Sequence, residues 1–430
     1  MPCAKNLSLA AGVGMADRID ANRHDMDFTS LLRIYAFLLL AGWLATIVRA
    51  LRALRSIHRF PRDTDAVDDG GGTDIGSAPL LSVIIPFRNE AASLAATAEP
   101  FLDASLPIEL ILIDDNSDDG SGSIADRLAE HSQVIVLRPG EPPPDWLGKP
   151  WACHHGAAAA RGRFLLFMDA DVEISRTLLP RLLAYLRSRR PPHLVLFPYV
   201  RTRGILESSY MTLFVFLFLF RFDPHAAARR GRRGHVGVGA FNLVRGDVYA
   251  RFGGYASLRL AVADDVMLGQ RVKEIGEHTV TFRAPDAVRV RWREGFRDTL
   301  RGTRRSLFAG TGFSRFWLLI AFGGTFGGII APFLLLTMDD PFVRLPAAVS
   351  ALLCVTIPAL LRGRSRHRMM GGLLFPLQAI VFLGVYIASA ADTLLGKTLR
   401  WRGRSYDLRM LRKWHAARSP AGPSGGTPAD

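Results

Sequence analysis

Residues 80–90 read LLSVIIPFRNE, an apolar run that stops abruptly at Arg, Asn and Glu. Residues 108–115 repeat the arrangement as IELILIDD. Short runs rich in Ile, Leu and Val that end in polar residues are typical of buried strands, and a helical stretch is expected after each, from Glu90 and from Ser123. Strands that alternate with helices predict an α/β domain with a mostly parallel sheet.

Two more apolar runs, residues 134–137 and 164–167, supply further predicted strands. In a parallel α/β sheet, ligands bind beyond the carboxyl ends of the strands. Arg88, Asp114 and Asp169 all fall at such ends. The sequence therefore predicts a binding site along this edge of the sheet.

The acidic pair Asp169 and Asp171 follows the strand at residues 164–168 directly. In extended chain, residues two apart point to the same side. Like charges placed so close are costly unless a cation neutralises them, and carboxylate oxygens suit Mg²⁺ or Mn²⁺. The pattern therefore predicts a divalent metal site, although a solvated turn with two aspartates would look the same.

Two other acidic stretches are ambiguous by themselves. Residues 114–121, DDNSDDGS, have the composition of an ordinary turn, and the downstream Glu that a calcium loop requires is missing. Asp264 and Asp265 could be the acidic pair that favours a helix N-terminus.

Composition limits the class of protein. The chain has 430 residues, 49% of them hydrophobic, and a formal net charge of +15, so it is neither a disordered chain nor, with three cysteines, a disulfide scaffold. Residues 289–430 hold 21 Lys and Arg against 7 Asp and Glu, a net charge of +14. Because these basic residues flank apolar segments, nucleic-acid binding is the weakest interpretation.

Three runs without a charged residue or His, namely 316–337, 345–361 and 371–391, are long enough to cross a bilayer as helices. A shorter run, 34–48, is expected to be an anchor. The arginines that follow it place the next segment in the cytoplasm, which predicts a multi-pass protein of the bacterial inner membrane.

The number of crossings is left open by the charges. Four crossings would put the C-terminus outside, yet its arginines favour the inside, so one run is expected to be re-entrant or interfacial. Residues 211–220 form a shorter apolar stretch that predicts either a buried core helix or a helix in the membrane interface.

These observations divide the chain into seven parts. They are an uninterpreted N-terminal extension (1–30), a transmembrane anchor (31–51), a basic segment and linker (52–79), the α/β domain (80–293), an interfacial amphipathic helix (294–315), a membrane region with about three hydrophobic segments (316–395) and a basic tail (396–430).

The order of the motifs resembles glycosyltransferase family 2, whose catalytic domain has the GT-A fold. The resemblance rests on PFRNE at 86–90, the Asp114-Asp115 turn, the pair at 169 and 171, and Asp264-Asp265, and it spans 80–293. Residues 146–152, 237–255 and 401–406 are similar to integral-membrane bacterial members associated with hopanoid and carotenoid lipids.

The resemblance implies a role for each motif. Asp115 would accept a hydrogen bond from the uracil of a UDP-sugar, Lys149 would approach the nucleotide, and Asp265 would be the catalytic base. A positioned carboxylate can indeed take the proton of an attacking hydroxyl, and a metal can stabilise a departing diphosphate. The full sets are Pro86, Arg88, Glu90, Asp114, Asp115, Lys149 and Asp169 for the nucleotide sugar, and Asp171 and Asp169 for Mg²⁺ or Mn²⁺.

One departure from the family bears on the product. Many processive members carry Gln-x-x-Arg-Trp, but this chain has Val288 in place of the Gln before Arg291 and Trp292. We therefore expect transfer of a single sugar to a lipid acceptor by an inverting enzyme, with no protein partner. Arg291 and Trp292 stay candidates for diphosphate contacts, with a plain helix start as the alternative reading. The alternatives for the whole chain are a polyprenyl-phosphate sugar transferase and a non-catalytic membrane scaffold.

Overall fold

The computed structural model describes residues 27–61, 78–231, 233–311, 313–361, 371–396, 398–401 and 403–417. Most of the predicted N-terminal extension, most of the predicted linker and the end of the basic tail therefore lie outside the described residues, as do the arginines at 362–368.

The central sheet has eight strands in the order β1-β10-β7-β9-β5-β2-β3-β4. All neighbouring pairs are parallel except those of β9, which runs antiparallel to β5 and β7. The predicted α/β fold with a mostly parallel sheet is thus confirmed. The strands are β1 (His58–Arg59), β2 (Leu81–Phe87), β3 (Ile108–Asp114), β4 (Val134–Leu137), β5 (Phe164–Phe167), β7 (His193–Phe197), β9 (Asn242–Arg245) and β10 (Val280–Arg283).

The strands β2 and β3 are neighbours in the sheet, and β4 is the edge strand beyond β3. Leu81 pairs with Ile108 and Phe87 with Asp114, so both strands end at the same edge. Every residue of both strands is buried, as expected for a sheet covered on both faces. The covering helices are α2 (Leu94–Ala98), α3 (Ser121–Leu128), α4 (Gly148–Ala159), α5 (Leu178–Arg189), α7 (Pro224–Ala227), α8 (Gly246–Arg251) and α9 (Asp264–Glu274).

A small second sheet lies beside the site. Its order is β6-β11-β8, with β6 at Val172–Ile174, β8 at Tyr199–Val200 and β11 at Val288–Val290. Val290 pairs with Val172 in an antiparallel register, so Arg291 continues opposite Asp171. The small sheet thus brings the segment after residue 290 to the acidic pair.

Five helices among the described residues are long and apolar enough to cross a membrane: 28–53, 204–222, 315–335, 341–359 and 375–396. They belong to α1 (Phe28–Ser56), α6 (Gly204–Phe222), α11 (Arg315–Thr325) continuing through a π-helical turn (Phe326–Ile330) into α12 (Ala331–Leu335), α13 (Pro341–Leu361) and α14 (Phe375–Gly396). Between them, α10 (Phe296–Ser306) lies inside the stretch predicted to be amphipathic.

Helix α6 extends well beyond the apolar run at 211–220 that pointed to it. Its first turns contain Ser208, Ser209 and Thr212, which are buried although they are polar. Thr212 donates to the carbonyl of Ser208 at 2.9 Å and Gln378 of α14 donates to Ser209 at 2.8 Å. Because these polar groups are satisfied inside the helix bundle, the helix continues where a hydropathy scan of the sequence sees a break.

The predicted basic tail is a folded unit over its described residues. It forms a hairpin of β12 (Thr398–Trp401) and β13 (Arg404–Asp407), followed by α15 (Leu408–Ala416). Leu408, Leu411 and Trp414 recur every third residue and are buried in the same hydrophobic cluster as residues of the α/β domain. The sequence analysis predicted only a basic tail here and did not identify this helical periodicity.

Candidate active site

The site lies at the carboxyl edge of the central sheet, as predicted from the strand ends. Pro86 at the end of β2 and the segment after β5 line one cavity together with residues from α4 and α9. Its other polar lining residues are Lys149, Asn242, Tyr255, Asp264 and Asp265. Predicted residues separated by more than a hundred positions in the chain therefore meet at one point.

Lys149, in the first turn of α4, is the cation of this cluster. Its Nζ lies 2.7 Å from Asp169 Oδ1 and 3.4 Å from Asp264 Oδ1. Burial alone would lower the pKa of Lys149, but the carboxylates of Asp169, Asp264 and Asp265 together raise that pKa well above its usual value. The charged form of Lys149 is thus favoured, and it pairs with Asp169 and Asp264.

Asp264 is 5% exposed, and each of its two carboxylate oxygens has a partner. One oxygen meets Lys149, and the other accepts a hydrogen bond of 2.9 Å from the hydroxyl of Tyr255. Burial raises the pKa of that hydroxyl well above its usual value, so Tyr255 stays a donor. Asp264 therefore serves to fix Lys149, a role that the sequence did not assign to it.

Asp265 lies next to this pair, at the start of α9. Its Oδ2 accepts from the backbone N–H of Gly239 at 2.8 Å, and its Oδ1 accepts from the N–H of Val266 at 2.8 Å. Burial, reinforced by the neighbouring Asp264 charge, raises the pKa of Asp265 to about 6. A carboxylate with this pKa is ionised at neutral pH and can still take up a proton, which is what a general base requires.

Gly239 brings the backbone close to both acidic groups. Besides donating to Asp265, it accepts from the N–H of Asp169 at 2.9 Å. A Cβ added at Gly239 would overlap Asp169 Oδ2. Only glycine permits this approach, so position 239 sets the distance between Asp169 and the candidate base Asp265.

Asp169 and Asp171 offer carboxylate oxygens, the donors that Mg²⁺ and Mn²⁺ prefer. Among the described residues, no group of three His, Cys, Asp or Glu side chains converges on one point. A cation bound by Asp169 and Asp171 would complete its shell with ligand oxygens and water, as Mg²⁺ commonly does. The donor set fits a metal that arrives with a diphosphate.

The predicted nucleotide-binding residues occupy the ends of β2 and β3. Arg88 has a buried Nη1 with no hydrogen-bond partner among the described residues, so it is available to a ligand. Glu90 accepts from the Ser93 hydroxyl at 3.1 Å. Asp114 accepts from the N–H of Ser117 at 2.8 Å, which makes it part of the turn. Asp115 is 2% exposed and binds an arginine of the C-terminal hairpin.

The two candidate diphosphate contacts point in different directions. The register of β11 carries Arg291 opposite Asp171, and its Nε lies 2.7 Å from Glu294. Trp292 instead packs on Phe214 of α6, with ring centroids 5.0 Å apart. The strand register thus directs the chain at Arg291 towards the acidic pair, whereas the Trp292 ring packs on the apolar helix α6.

Three residues of the site were not predicted. Asp264 stood in the quoted acidic pair, and Tyr255 and Arg404 stood in quoted stretches, but nothing local distinguished them. Their partners lie far away in the chain: Arg404 meets Asp115 across 289 positions. Only the folded chain shows these contacts.

Residues 82–253 match the protein family described as Glycosyl transferase family 2, so the chain is a glycosyltransferase with a family 2 domain. This confirms the resemblance. Over 340 residues it is 23% identical to the 4,4'-diaponeurosporenoate glycosyltransferase of Staphylococcus aureus strain bovine RF122 / ET3-1, covering 76% of this chain and 88% of that protein. The same-named protein of strain MRSA252 matches at 23% over 337 residues, with the same coverage.

Among solved structures, the chain is similar to the mannosyltransferase of Pyrobaculum calidifontis in complex with GDP-Man and Mn²⁺. The identity is 18% and the TM-score 0.49, over 85% of this chain and 99% of that one.

Proposed function

We propose that this glycosyltransferase moves one sugar from a nucleotide-sugar donor, a UDP-sugar, to a lipid acceptor with inversion at the anomeric carbon. The observation that carries the proposal is the placement of Asp265, with its raised pKa, beside the Lys149 cluster at the strand ends. Asp265 is thereby available for proton transfer, while the neighbouring Asp169 and Asp264 are held by Lys149.

In this mechanism Asp265 removes the proton of the acceptor hydroxyl as the hydroxyl oxygen attacks the anomeric carbon. The bond from that carbon to the diphosphate oxygen breaks on the opposite side, and the nucleoside diphosphate leaves. The N–H groups of Gly239 and Val266 orient the Asp265 carboxylate. Asp264 and Tyr255 hold Lys149 in place, so the cluster is organised before the donor arrives.

Asp171 and Asp169 are the residues that would hold Mg²⁺ or Mn²⁺, and the bound ion would supply charge stabilisation for the leaving diphosphate. Lys149 and Arg291 add positive charge on the same side. Arg88, whose Nη1 has no hydrogen-bond partner among the described residues, would bind the nucleotide together with Asp115 at the end of β3. Pro86, Glu90 and Asp114 would shape its pocket.

A single transfer is favoured because Val288 replaces the Gln of the processive motif. A lipid acceptor is supported by the apolar helices beside the site and by the name of the staphylococcal relatives, which refers to a carotenoid acid. Hopanoids and related lipids share its extended apolar body with a terminal oxygen group.

We infer that three helical segments cross the bilayer. Helix α6 lies between β7 and β9, which pair in one sheet, for example Leu194 with Leu243. A single crossing would place those strands on opposite sides of the membrane, so α6 does not cross. At the other end, Arg404 of the hairpin binds Asp115, so the C-terminal segment lies on the side of the catalytic domain.

The remaining helices then fix the arrangement. Arg33 of α1 binds Asp340 at 2.6 Å, so the outer end of α1 and the α12–α13 connection lie together. Helix α13 returns to the inner side. Gly372, just before α14, lies against the end of α13, because a Cβ added at Gly372 would be 2.6 Å from Ala359 of that helix. Because α14 starts there and leads into the hairpin, both its ends are cytoplasmic, and α14 is the interfacial run that the charges required.

The test is transfer by purified protein in detergent. We expect radiolabelled sugar to move from a UDP-sugar into an organic-soluble product when a bacterial lipid extract and Mg²⁺ or Mn²⁺ are present. Neutral lipids and undecaprenyl phosphate are supplied separately, since label on the phosphate would identify a polyprenyl-phosphate transferase instead. A wild-type protein that transfers sugar from no donor to any lipid would refute the proposal.

A further inference from the structure

Three buried polar side chains form a chain of hydrogen bonds that ends on the residue assigned as the base. Thr279, His193 and Asn242 are each at most 1% exposed. The His193 ring lies between the other two, with its Nδ1 2.9 Å from Thr279 Oγ1 and its Nε2 2.7 Å from Asn242 Oδ1. Asn242 Nδ2 in turn donates to the backbone carbonyl of Asp265 at 3.0 Å.

The order of the strands places these side chains next to one another. Thr279 directly precedes β10, His193 begins β7 and Asn242 begins β9. The three strands are neighbours in the sheet, and Val280 pairs with Leu194. The hydrogen bonds therefore link the β10 side of the sheet to the start of α9, where the candidate base lies.

Only one arrangement of protons satisfies every group of this chain. The Asp265 carbonyl can only accept, so the Asn242 amide must turn its NH₂ to that carbonyl and its oxygen to His193. This oxygen accepts from the Nε2–H of the ring, which leaves Nδ1 to accept from the Thr279 hydroxyl. Burial lowers the pKa of His193 to about 4, so at neutral pH the ring is neutral and carries one N–H, as the arrangement requires.

The last hydrogen bond of the chain acts on the main chain of Asp265. A Cβ added at Gly237 would overlap the Asp265 carbonyl oxygen and lie 3.1 Å from Asn242 Nδ2, so this oxygen is enclosed between the two residues. If the Asn242 amide turned over, its oxygen would face the carbonyl oxygen, and both buried acceptors would lose their donor. Relieving that contact requires the main chain at Asp265 to move.

We propose that His193 is a positioning residue for Asp265, because it fixes the orientation of the Asn242 amide that holds the Asp265 main chain; this rests on the proposed function. Thr279 acts one step earlier by selecting the ring nitrogen that carries the proton. A displacement of about 1 Å in a reacting group can lower a rate by roughly 10²-fold, so the orientation of one amide is expected to affect proton transfer.

The experiment compares two substitutions of His193 that keep different halves of its contacts. His193→Gln puts an amide nitrogen near the place of Nε2 and can still donate to Asn242, whereas the shorter His193→Asn reaches only Thr279. We expect kcat for sugar transfer by detergent-purified protein to fall at least about tenfold in His193→Asn and less than about threefold in His193→Gln. The UDP dissociation constant, measured by isothermal titration calorimetry, should stay within about threefold of wild type in both.

A second pair of variants changes less volume. Thr279→Val removes the hydroxyl and leaves His193 free to take the other tautomer, so kcat should fall at least about fivefold, whereas Thr279→Ser keeps the hydroxyl and should transfer as the wild type does. If the His193 variants do not fold, the Thr279 pair carries the test.

Thr281→Val is the matched control for the loss of a buried hydroxyl. Thr281 lies on β10 and is 3% exposed, and its Oγ1 has no hydrogen-bond partner among the described residues. This variant should leave kcat unchanged, because its hydroxyl has no place in the chain that leads to Asp265.

The contrary results are distinct. An equal loss of kcat in His193→Gln and His193→Asn, or wild-type kcat in both His193→Asn and Thr279→Val, would overturn the inference and leave the proposed function standing. A loss of UDP affinity as large as the loss of kcat would also overturn it, because the chain would then support the whole site. Transfer at the wild-type rate by Asp265→Asn would overturn the assigned base and the inference together.

Discussion

The contact between Lys149 and its two carboxylates gives a prediction with a defined size. At an effective dielectric constant of about 20, unit charges at the observed 2.7 Å and 3.4 Å attract by about 6 and about 5 kcal/mol. Desolvation cancels much of this attraction, and removing one partner of a buried pair costs roughly 3–5 kcal/mol. Lys149 keeps 18% of its side chain exposed, so we expect about 3 kcal/mol for Lys149→Met.

The assay is thermal unfolding in detergent, followed by intrinsic fluorescence. A loss of about 3 kcal/mol lowers the melting temperature of a domain of this size by roughly 6–12 °C. Asp264→Asn in the Lys149→Met background should restore part of the loss, because it removes the charge left unpaired. Lys413→Met, at an exposed position of α15, should change the melting temperature by little.

The reasoning fails if Lys149→Met melts within about 2 °C of the wild type, which is less than a 1 kcal/mol change produces. It also fails if the effects of Lys149→Met and Asp264→Asn simply add, since residues in one ion-pair network couple by roughly 0.5–3 kcal/mol.

Three further predictions concern catalysis. Because the pKa of Asp265 is raised to about 6 and only the ionised form acts as a base, kcat/KM should be level above that pH and fall about tenfold per unit below it; a flat profile from pH 5 to 8 would contradict this. Gly239→Ala should lower transfer at least tenfold with a small change in melting temperature, whereas Gly42→Ala, with open space around it, should not affect transfer. EDTA should abolish transfer and Mg²⁺ or Mn²⁺ restore it; full activity in EDTA would exclude the metal assigned to Asp171 and Asp169.

The parts of the fold that could be predicted are those whose signal is local. The strands that end at Phe87 and Asp114 have sequences that are continuous apolar runs. Because these strands are parallel neighbours, their carboxyl ends lie together. That is why the candidate residues Pro86, Asp115 and Asp169 lie at one edge, as expected.

The parts that could not be predicted depend on contacts between segments that are far apart in the chain. Helix α14 has the composition of a crossing helix, and the proposal that both of its ends lie on one side rests only on the position of the hairpin after it. The roles of Asp264 and Arg404 likewise depend on partners that no local pattern identifies, since any Asp or Arg in such a stretch would look the same.

The most direct test of the central claim is sugar transfer by Asp265→Asn compared with UDP binding by the same variant. The account predicts a kcat reduced by roughly 10²–10⁴-fold, the usual contribution of a general base, with UDP affinity unchanged. Asp247→Asn, at an exposed aspartate outside the site, should transfer at the wild-type rate. Transfer by Asp265→Asn within about threefold of the wild type would contradict the assignment of Asp265 as the base.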